Sequence, residues 1–145
     1  MTRLIILAFV FTVLGAATVA AAQPRPPAPS DFETLARATS FEPGGTTISN
    51  RRSTFLEALD RLARAPNAEQ QLTRLFTDRR TTTEGRLYAL IGLRHLSEGT
   101  YRTLAARIRP NLRVRARLGC VGLEIGAEEA LRRIDEGEAW FPADP

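Results

Sequence analysis

The chain has 145 residues, of which 20 are arginine and 16 are Asp or Glu, and its formal net charge is +4. It contains one cysteine and one histidine, which excludes an internal disulfide and a multi-histidine metal site. The length suits one small domain with a modest core, and the low net charge gives little support to nucleic-acid binding.

The first 22 residues have the three parts of a secretory signal peptide. Arg3 supplies the positive start, residues 4–19 are apolar, and three alanines at 20–22 form a small-residue end. We expect cleavage after Ala22, export to the periplasm or the medium, and no transmembrane segment afterwards. The alternative is a retained membrane anchor, since the apolar stretch is about long enough to span a bilayer. Cleavage leaves 19 arginines against 16 acids, a net charge of +3.

Residues 23–30 (QPRPPAPS) contain four prolines and predict an extended linker. The spacing of Ser30 and Glu33 is that of a capping box, in which each side chain binds the other's backbone N–H, and it predicts a short helix over residues 31–38. Residues 42–50 (EPGGTTISN) have the composition of a loop. We therefore place one folded domain at residues 31–141, followed by a tail at 142–145.

Apolar residues at spacings of three and four predict four more helices in the middle of the chain. The first covers residues 53–65, and the second follows Asn67, which we expect to cap it. The third covers residues 84–96, is apolar around much of its circumference and includes Gly92, a residue suited to close packing. The fourth begins at residue 97 or 98. Four amphipathic helices with short turns predict two stacked helical hairpins, an arrangement like that of HEAT repeats.

The hydrophobic period changes from 3.6 to 2 after Pro110. Apolar residues alternate with three arginines over residues 112–118, which predicts a half-buried strand, and residues 121–125 predict a partner strand or an extended return. A final helix follows over residues 127–136, with Gly137 as its C-terminal stop. The predicted fold is mainly α, with two stacked helical hairpins, a small C-terminal β element and a final short helix.

Two segments, EGRLYALIGLRHL and VRARLGCVG, resemble a pattern of small exported bacterial proteins of unknown function. Those proteins join a HEAT-like helical hairpin to a Gly-Cys segment, and the resemblance covers roughly residues 84–122. It implies an architecture and an exported location, and it implies no activity. Relatives often carry a second cysteine near position 91, and with Ile91 there the resemblance implies that this chain lacks any such disulfide.

Five arginines lie close together around the predicted strand. They are Arg107, Arg109, Arg113, Arg115 and Arg117. The last three project from one face of a strand at intervals of ~7 Å, and the first two extend the set from the preceding helix. Guanidinium groups in such a row can bind phosphates, sulfated sugars or carboxylates. Alternatively, the row is the solvent face of an edge strand, where charge discourages aggregation. Nearby acids that could neutralise it are Glu124, Glu128 and Glu129.

A partner for these arginines would be an acidic protein or an anionic polymer of the cell envelope. Nucleic acid is disfavoured, because no aromatic residues alternate with the arginines and no nucleic-acid-binding motif is present. Trp140 and Phe141 are a second candidate contact, as an aromatic anchor for a partner. The alternative for this pair is that it closes the domain's own core.

No residue pattern identifies a catalytic site, and we expect no metal and no cofactor. His95, near the end of a predicted helix, suits a structural or surface role. Cys120 lies between apolar residues and glycines, and we expect a buried, unreactive thiol; the alternative is a thiol that pairs with another molecule. Glu84, Asp78 and Glu98 could supply paired catalytic carboxylates, but helix capping and surface ion pairs explain each of them.

These observations favour an exported, non-catalytic binding or scaffolding domain whose contact surface is the set of five arginines. The alternative is a small envelope enzyme of the hydrolase type, with a carboxylate site that the sequence does not locate. A third alternative is attachment to anionic lipid or polysaccharide through the same arginines.

Overall fold

A computed structural model describes residues 29–43 and 53–137 of the chain. The predicted signal peptide, most of the proline-rich linker, most of the predicted loop and the C-terminal tail lie outside these residues. The described part contains six helices and two strands. Their bounds are α1 Asp31–Ala36, α2 Thr54–Ala63, α3 Ala68–Thr77, α4 Thr83–Leu96, α5 Glu98–Ala105, β1 Arg113–Leu118, β2 Val121–Gly126 and α6 Ala127–Asp135. No helix of this part is long and apolar enough to cross a membrane.

The capping box predicted at Ser30 is present and begins α1. The Glu33 N–H donates to Ser30 Oγ at 3.2 Å, and the Ser30 N–H donates to Glu33 Oε2 at 3.3 Å. The helix ends at Ala36, two residues earlier than predicted. The Ala38 N–H donates to the Leu35 carbonyl in a tighter turn, which buries Ala38 against the core.

Helices α2 and α4 begin at side-chain caps. Ser53 Oγ accepts a first-turn N–H at 3.2 Å, and Thr82 Oγ1 accepts the Gly85 N–H at 3.0 Å. Asn67 is the N-cap residue of α3, as predicted, but its side-chain oxygen accepts from the Gln71 side chain instead of a backbone N–H. The other predicted helix bounds agree with the structure to within two residues, except that α5 ends at Ala105, before Arg107 and Arg109, which were expected at the end of this helix.

Helix α4 is the centre of the core, as its nearly continuous apolar surface predicts. It packs against α1, α2, α3, α5, α6 and β1, and Gly85 and residues 87–93 are buried. A Cβ at Gly92 would come within 2.6 Å of Leu72 Cδ1, so this glycine allows the close packing of α3 on α4 that its residue type predicts.

The change of period after Pro110 marks a β1–β2 hairpin, which confirms the predicted strand and its partner. The strands are antiparallel and joined by a two-residue turn, Gly119 and Cys120. Gly119 has φ 61°, and glycine is preferred at the first position of such tight turns because it adopts positive φ without steric cost. The prediction of a buried Cys120 is wrong, since the alternation that buries every second residue of β1 stops at the turn and leaves the thiol exposed.

The segment around Phe41 flanks β1 on the side opposite β2, which the sequence did not predict. The Phe41 N–H donates to the Arg115 carbonyl at 2.7 Å, and the Arg117 N–H donates to the Phe41 carbonyl at 2.8 Å. Tyr88 of α4 anchors this segment, because its hydroxyl accepts the Glu42 N–H at 3.1 Å and its ring centre lies 5.9 Å from that of Phe41. At this point β1 is therefore the middle one of three chain segments.

The architecture is mainly helical, with a small two-stranded antiparallel sheet and a final helix, which confirms the coarse fold class expected from the sequence. Helix α6 packs against both strands and against α4, with Ala130 and Ile134 buried. The hairpin is thus attached to the helical core through one of its faces, and its other face is left to solvent.

Candidate binding surface

The solvent face of the hairpin carries Arg113, Arg115 and Arg117, which we call the arginine row. All three are exposed, while Val114 and Ala116 between them are buried. The alternation predicted from the sequence is therefore confirmed. The members of the row lie on one face of a strand at intervals of ~7 Å.

The surface of β2 beside the arginine row is open. Gly126 lies opposite Arg113, and Gly122 lies opposite Arg117. A Cβ added at either glycine would meet nothing within 4 Å. A cleft of about 560 Å³ covers part of this area. The long arginine side chains consequently have room to extend across β2 towards its outer edge.

The acids expected to neutralise the row do not pair with it. Glu124 and Glu128 form no ion pair with any described arginine. Glu129 binds Arg132 and Arg133, each at 2.8 Å, and its hydrogen bonds from Arg132 lower the pKa of the Glu129 carboxyl. Of these three acids, Glu129 is the one that forms ion pairs, and both of its partners are arginines of α6.

Among the described residues, the arginine row forms no ion pair and no side-chain hydrogen bond, and the same holds for Arg107 and Arg109. Arginines on the helices, or directly after one, behave differently. Six of them bind carboxylates: Arg61, Arg64, Arg94, Arg102, Arg132 and Arg133. The positive charge of the row is therefore available to a partner without breaking a contact inside the described chain.

Arg107 and Arg109 line a separate cleft of about 450 Å³ that includes no member of the arginine row. They follow α5 and share the cleft with Arg86 of α4, and no carboxylate of the described residues lines it. The Arg86 Nε is buried without a hydrogen-bond partner. Sequence reasoning missed Arg86, because nothing in its spacing sets it apart from other helical arginines. The structure thus divides the five arginines between the hairpin face and this cleft.

Each carboxylate considered for catalysis is engaged by a neighbour. Glu84 accepts the Arg115 N–H at 3.1 Å, and this contact covers a backbone donor of β1 on the side away from β2. Asp78 accepts a nearby backbone N–H at 2.9 Å, and Glu98 binds Arg102 at 2.6 Å. A tertiary contact to β1 accounts for Glu84, a local turn contact for Asp78 and a surface ion pair for Glu98, so surface pairing as expected holds for Glu98 alone of the three.

A buried polar group around Tyr88 was not apparent from the sequence, because its members are distant in the chain. Tyr88 is fully buried, and burial, together with the nearby charge of Glu42, raises the pKa of its hydroxyl. Glu42 is only 8 % exposed, and its Oε1 accepts from Ser40 Oγ at 3.0 Å. These contacts fix the position of the segment around Phe41, which forms backbone hydrogen bonds with β1. The buried polar group around Tyr88 therefore helps to hold the hairpin in place.

The remaining candidates add no chemistry to this surface. His95 is exposed near the end of α4, and Cys120 is exposed at the hairpin turn. Residues 29–43 and 53–137 contain no group of three or more His, Cys, Asp or Glu that could hold a metal ion. Trp140 and Phe141, the predicted aromatic anchor, lie outside the described residues. Comparison with known protein families, curated proteins and solved structures found no match.

Proposed function

We propose that this chain is an exported, non-catalytic binding domain whose arginine row recognises an acidic segment of a partner protein. The observation that carries the proposal is the row itself: three exposed arginines on one face of a hairpin, none engaged by a carboxylate of the described chain. The pattern of residues 1–22 supports export.

The chemistry of the row suits carboxylates, because a guanidinium group can bind a carboxylate through two parallel hydrogen bonds. Exposed pairs of this kind contribute about 0.2–1 kcal/mol each, and hydrogen bonds to charged groups in more enclosed sites about 1.5–3 kcal/mol. Three such contacts on an open surface give a modest affinity. We expect that affinity to fall as salt rises, since exposed charges are screened within ~10 Å at 0.1 M ionic strength.

A direct test measures binding of a fluorescently labelled poly-glutamate peptide by anisotropy, with protein expressed from the full coding sequence. One variant replaces the arginine row with serine at all three positions. A matched control removes the same charge from three other exposed arginines, namely Arg37, Arg79 and Arg80. We expect the first variant to lose about tenfold or more in affinity, corresponding to ~1.4 kcal/mol, and the control to bind nearly as the unmodified protein does.

The outcomes separate the alternatives. An equal loss in both variants would mean that only net charge matters, and it would contradict the proposal. Tight binding of a sulfated polysaccharide, with no measurable binding of poly-glutamate, would assign the row to an anionic envelope polymer instead of an acidic protein.

We also infer that α2–α3 and α4–α5 form two stacked hairpins of the HEAT type. In support, α2 contacts α3, α4 contacts α5, and both α2 and α3 pack on α4. Thr100 of α5 donates to Glu69 of α3 at 2.8 Å, which adds a link between the second helices of the two pairs. An experimental structure tests this inference, which requires α2 and α3 both to lie along α4; near-perpendicular crossings would contradict it.

A further inference from the structure

The backbone of β2 presents an unpaired outer edge. In β1, the Arg115 carbonyl accepts from Phe41 and the Arg115 N–H donates to Glu84, so both groups point away from β2. Directly opposite residues of an antiparallel pair point their backbone groups either towards each other or away from each other. The N–H and C=O groups of Glu124, the partner of Arg115, therefore point outward from the hairpin. Those of Gly122, two residues earlier, point the same way.

This edge has no partner within the described chain. The backbone groups of Gly122 and Glu124 form no hydrogen bond there, and both residues are exposed. Val121 lies on the face opposite the arginine row and is 56 % exposed. A strand edge with free backbone groups, an exposed apolar side chain and open glycines is a template for pairing with another extended segment.

We propose that the acidic segment binds as a third strand along the outer edge of β2, a mode that rests on the function proposed above. Such a strand lies about 9.6 Å from β1, which is two strand spacings. Gly122 and Gly126 leave the surface between them open, so Arg113 and Arg117 can reach over β2 to the added strand. Carboxylates on alternate residues of that strand recur at ~7 Å, the same interval as the arginine row.

The pattern of the partner follows from the two faces of the edge. Its acidic residues lie on the face of the arginine row, and its intervening residues lie on the face of Val121 and the half-buried Leu123. The segment recognised here therefore alternates acidic residues with apolar, β-branched ones.

A second copy of this chain fits the edge less well. Pairing β2 with another β2 would bring two arginine rows onto one face and bring two copies of Glu124 close together. Like charges on neighbouring strands destabilise a sheet. An acidic segment also brings one carboxylate beside Glu124, but its other carboxylates face the three arginines of the row, so it is the occupant whose charge the surface favours.

Two peptides of identical composition test the proposal. One alternates four glutamates with three valines, and the other has four consecutive glutamates followed by three valines. Both carry the same charge, but only the first places its carboxylates on one face of a strand. By titration calorimetry at low salt, we expect the alternating peptide to bind about tenfold more tightly, which is ~1.4 kcal/mol.

Variants at Gly122 test the edge itself. Gly122→Pro removes the outward N–H without removing a hydrogen bond between β1 and β2. Gly122→Ala is the matched control, since it keeps the N–H and its Cβ meets nothing within 4 Å. We expect the proline to weaken binding of the alternating peptide about three- to tenfold, the effect of one hydrogen bond, and the alanine to leave it unchanged.

A modified peptide gives the same test if Gly122→Pro does not fold, as judged by circular dichroism. N-methylation of the alternating peptide at the residues whose N–H faces β2 should abolish binding, while methylation at the intervening residues should not.

Equal affinity for the two peptides, together with no effect of the proline or of either methylation, would overturn strand addition. If replacement of the arginine row still abolished binding in that case, the proposed function would stand without this mode. Failure of both peptides to bind would overturn strand addition and the proposed function together.

Discussion

Substitution of Gly85 by alanine tests the contact that joins α1 to α4. A Cβ at this position would lie 2.4 Å from the Leu35 carbonyl oxygen and 2.8 Å from Thr81 Cγ2, far inside the 3.5–4.0 Å of favourable carbon contacts. The oxygen belongs to the backbone, so it moves only if α1 moves. Overpacking of this kind costs about 1–3 kcal/mol, and disturbance of the Thr82 cap adds up to ~1 kcal/mol. The better helix propensity of alanine offsets about 1 kcal/mol of this. We expect a net loss of about 2 kcal/mol.

Chemical denaturation, followed by circular dichroism, measures this loss as a lower midpoint with an unchanged slope. Gly99→Ala is the matched control, because Gly99 also lies in the first turn of a helix but a Cβ there meets nothing within 4 Å. The control should gain about 0.5–1 kcal/mol from helix propensity. A Gly85→Ala protein that is as stable as the Gly99→Ala protein would refute the close approach of α1 to α4.

Three further predictions concern other parts of the molecule. Burial is the main cause that raises the pKa of Tyr88, and the nearby charge of Glu42 is the second cause. Burial is also the main cause that raises the pKa of Tyr101, and the hydrogen bond to Asp135 is the second. Both groups therefore support folding below about pH 10 and destabilise the folded state as pH rises above it. We expect no tyrosinate absorbance before alkaline unfolding, and titration of either tyrosine in the folded protein would contradict its burial. Cys120 should react with a thiol reagent as fast in the folded protein as in denaturant, and slow reaction in the folded state would contradict its exposed position. The mass of the exported protein should correspond to a chain that begins at residue 23, whereas a mass that includes residues 1–22 would favour the retained anchor.

Local patterns predicted most of the secondary structure of the described residues. The alternation around Val114 is visible in the sequence because burial on one face of a strand imposes a period of two. The capping box at Ser30 is visible because its two side chains lie three residues apart and act on the nearest backbone groups. Both features depend on neighbours in the chain, and both are confirmed.

Features that depend on distant residues were missed or mistaken. The Phe41 contact with β1 joins segments more than seventy residues apart, and no local period marks it. Arg86 shares a cleft with Arg107 only because α4 and the end of α5 lie side by side. Cys120 was expected to be buried because it lies between apolar residues and glycines, whereas Gly119 allows the chain to reverse there and places the thiol at an exposed turn. Composition identified the arginines, and tertiary packing decided which of them lie on the same surface.

Strand β1 is held along both of its sides, by the ladder to β2 on one side and by Phe41 and Glu84 on the other. The backbone beneath the arginine row is consequently ordered before any partner arrives. The loss of backbone conformational entropy on association then falls on the partner and on the arginine side chains. If the proposed partner exists, a segment that is already extended in its own fold should therefore bind more tightly than the same residues in a disordered chain.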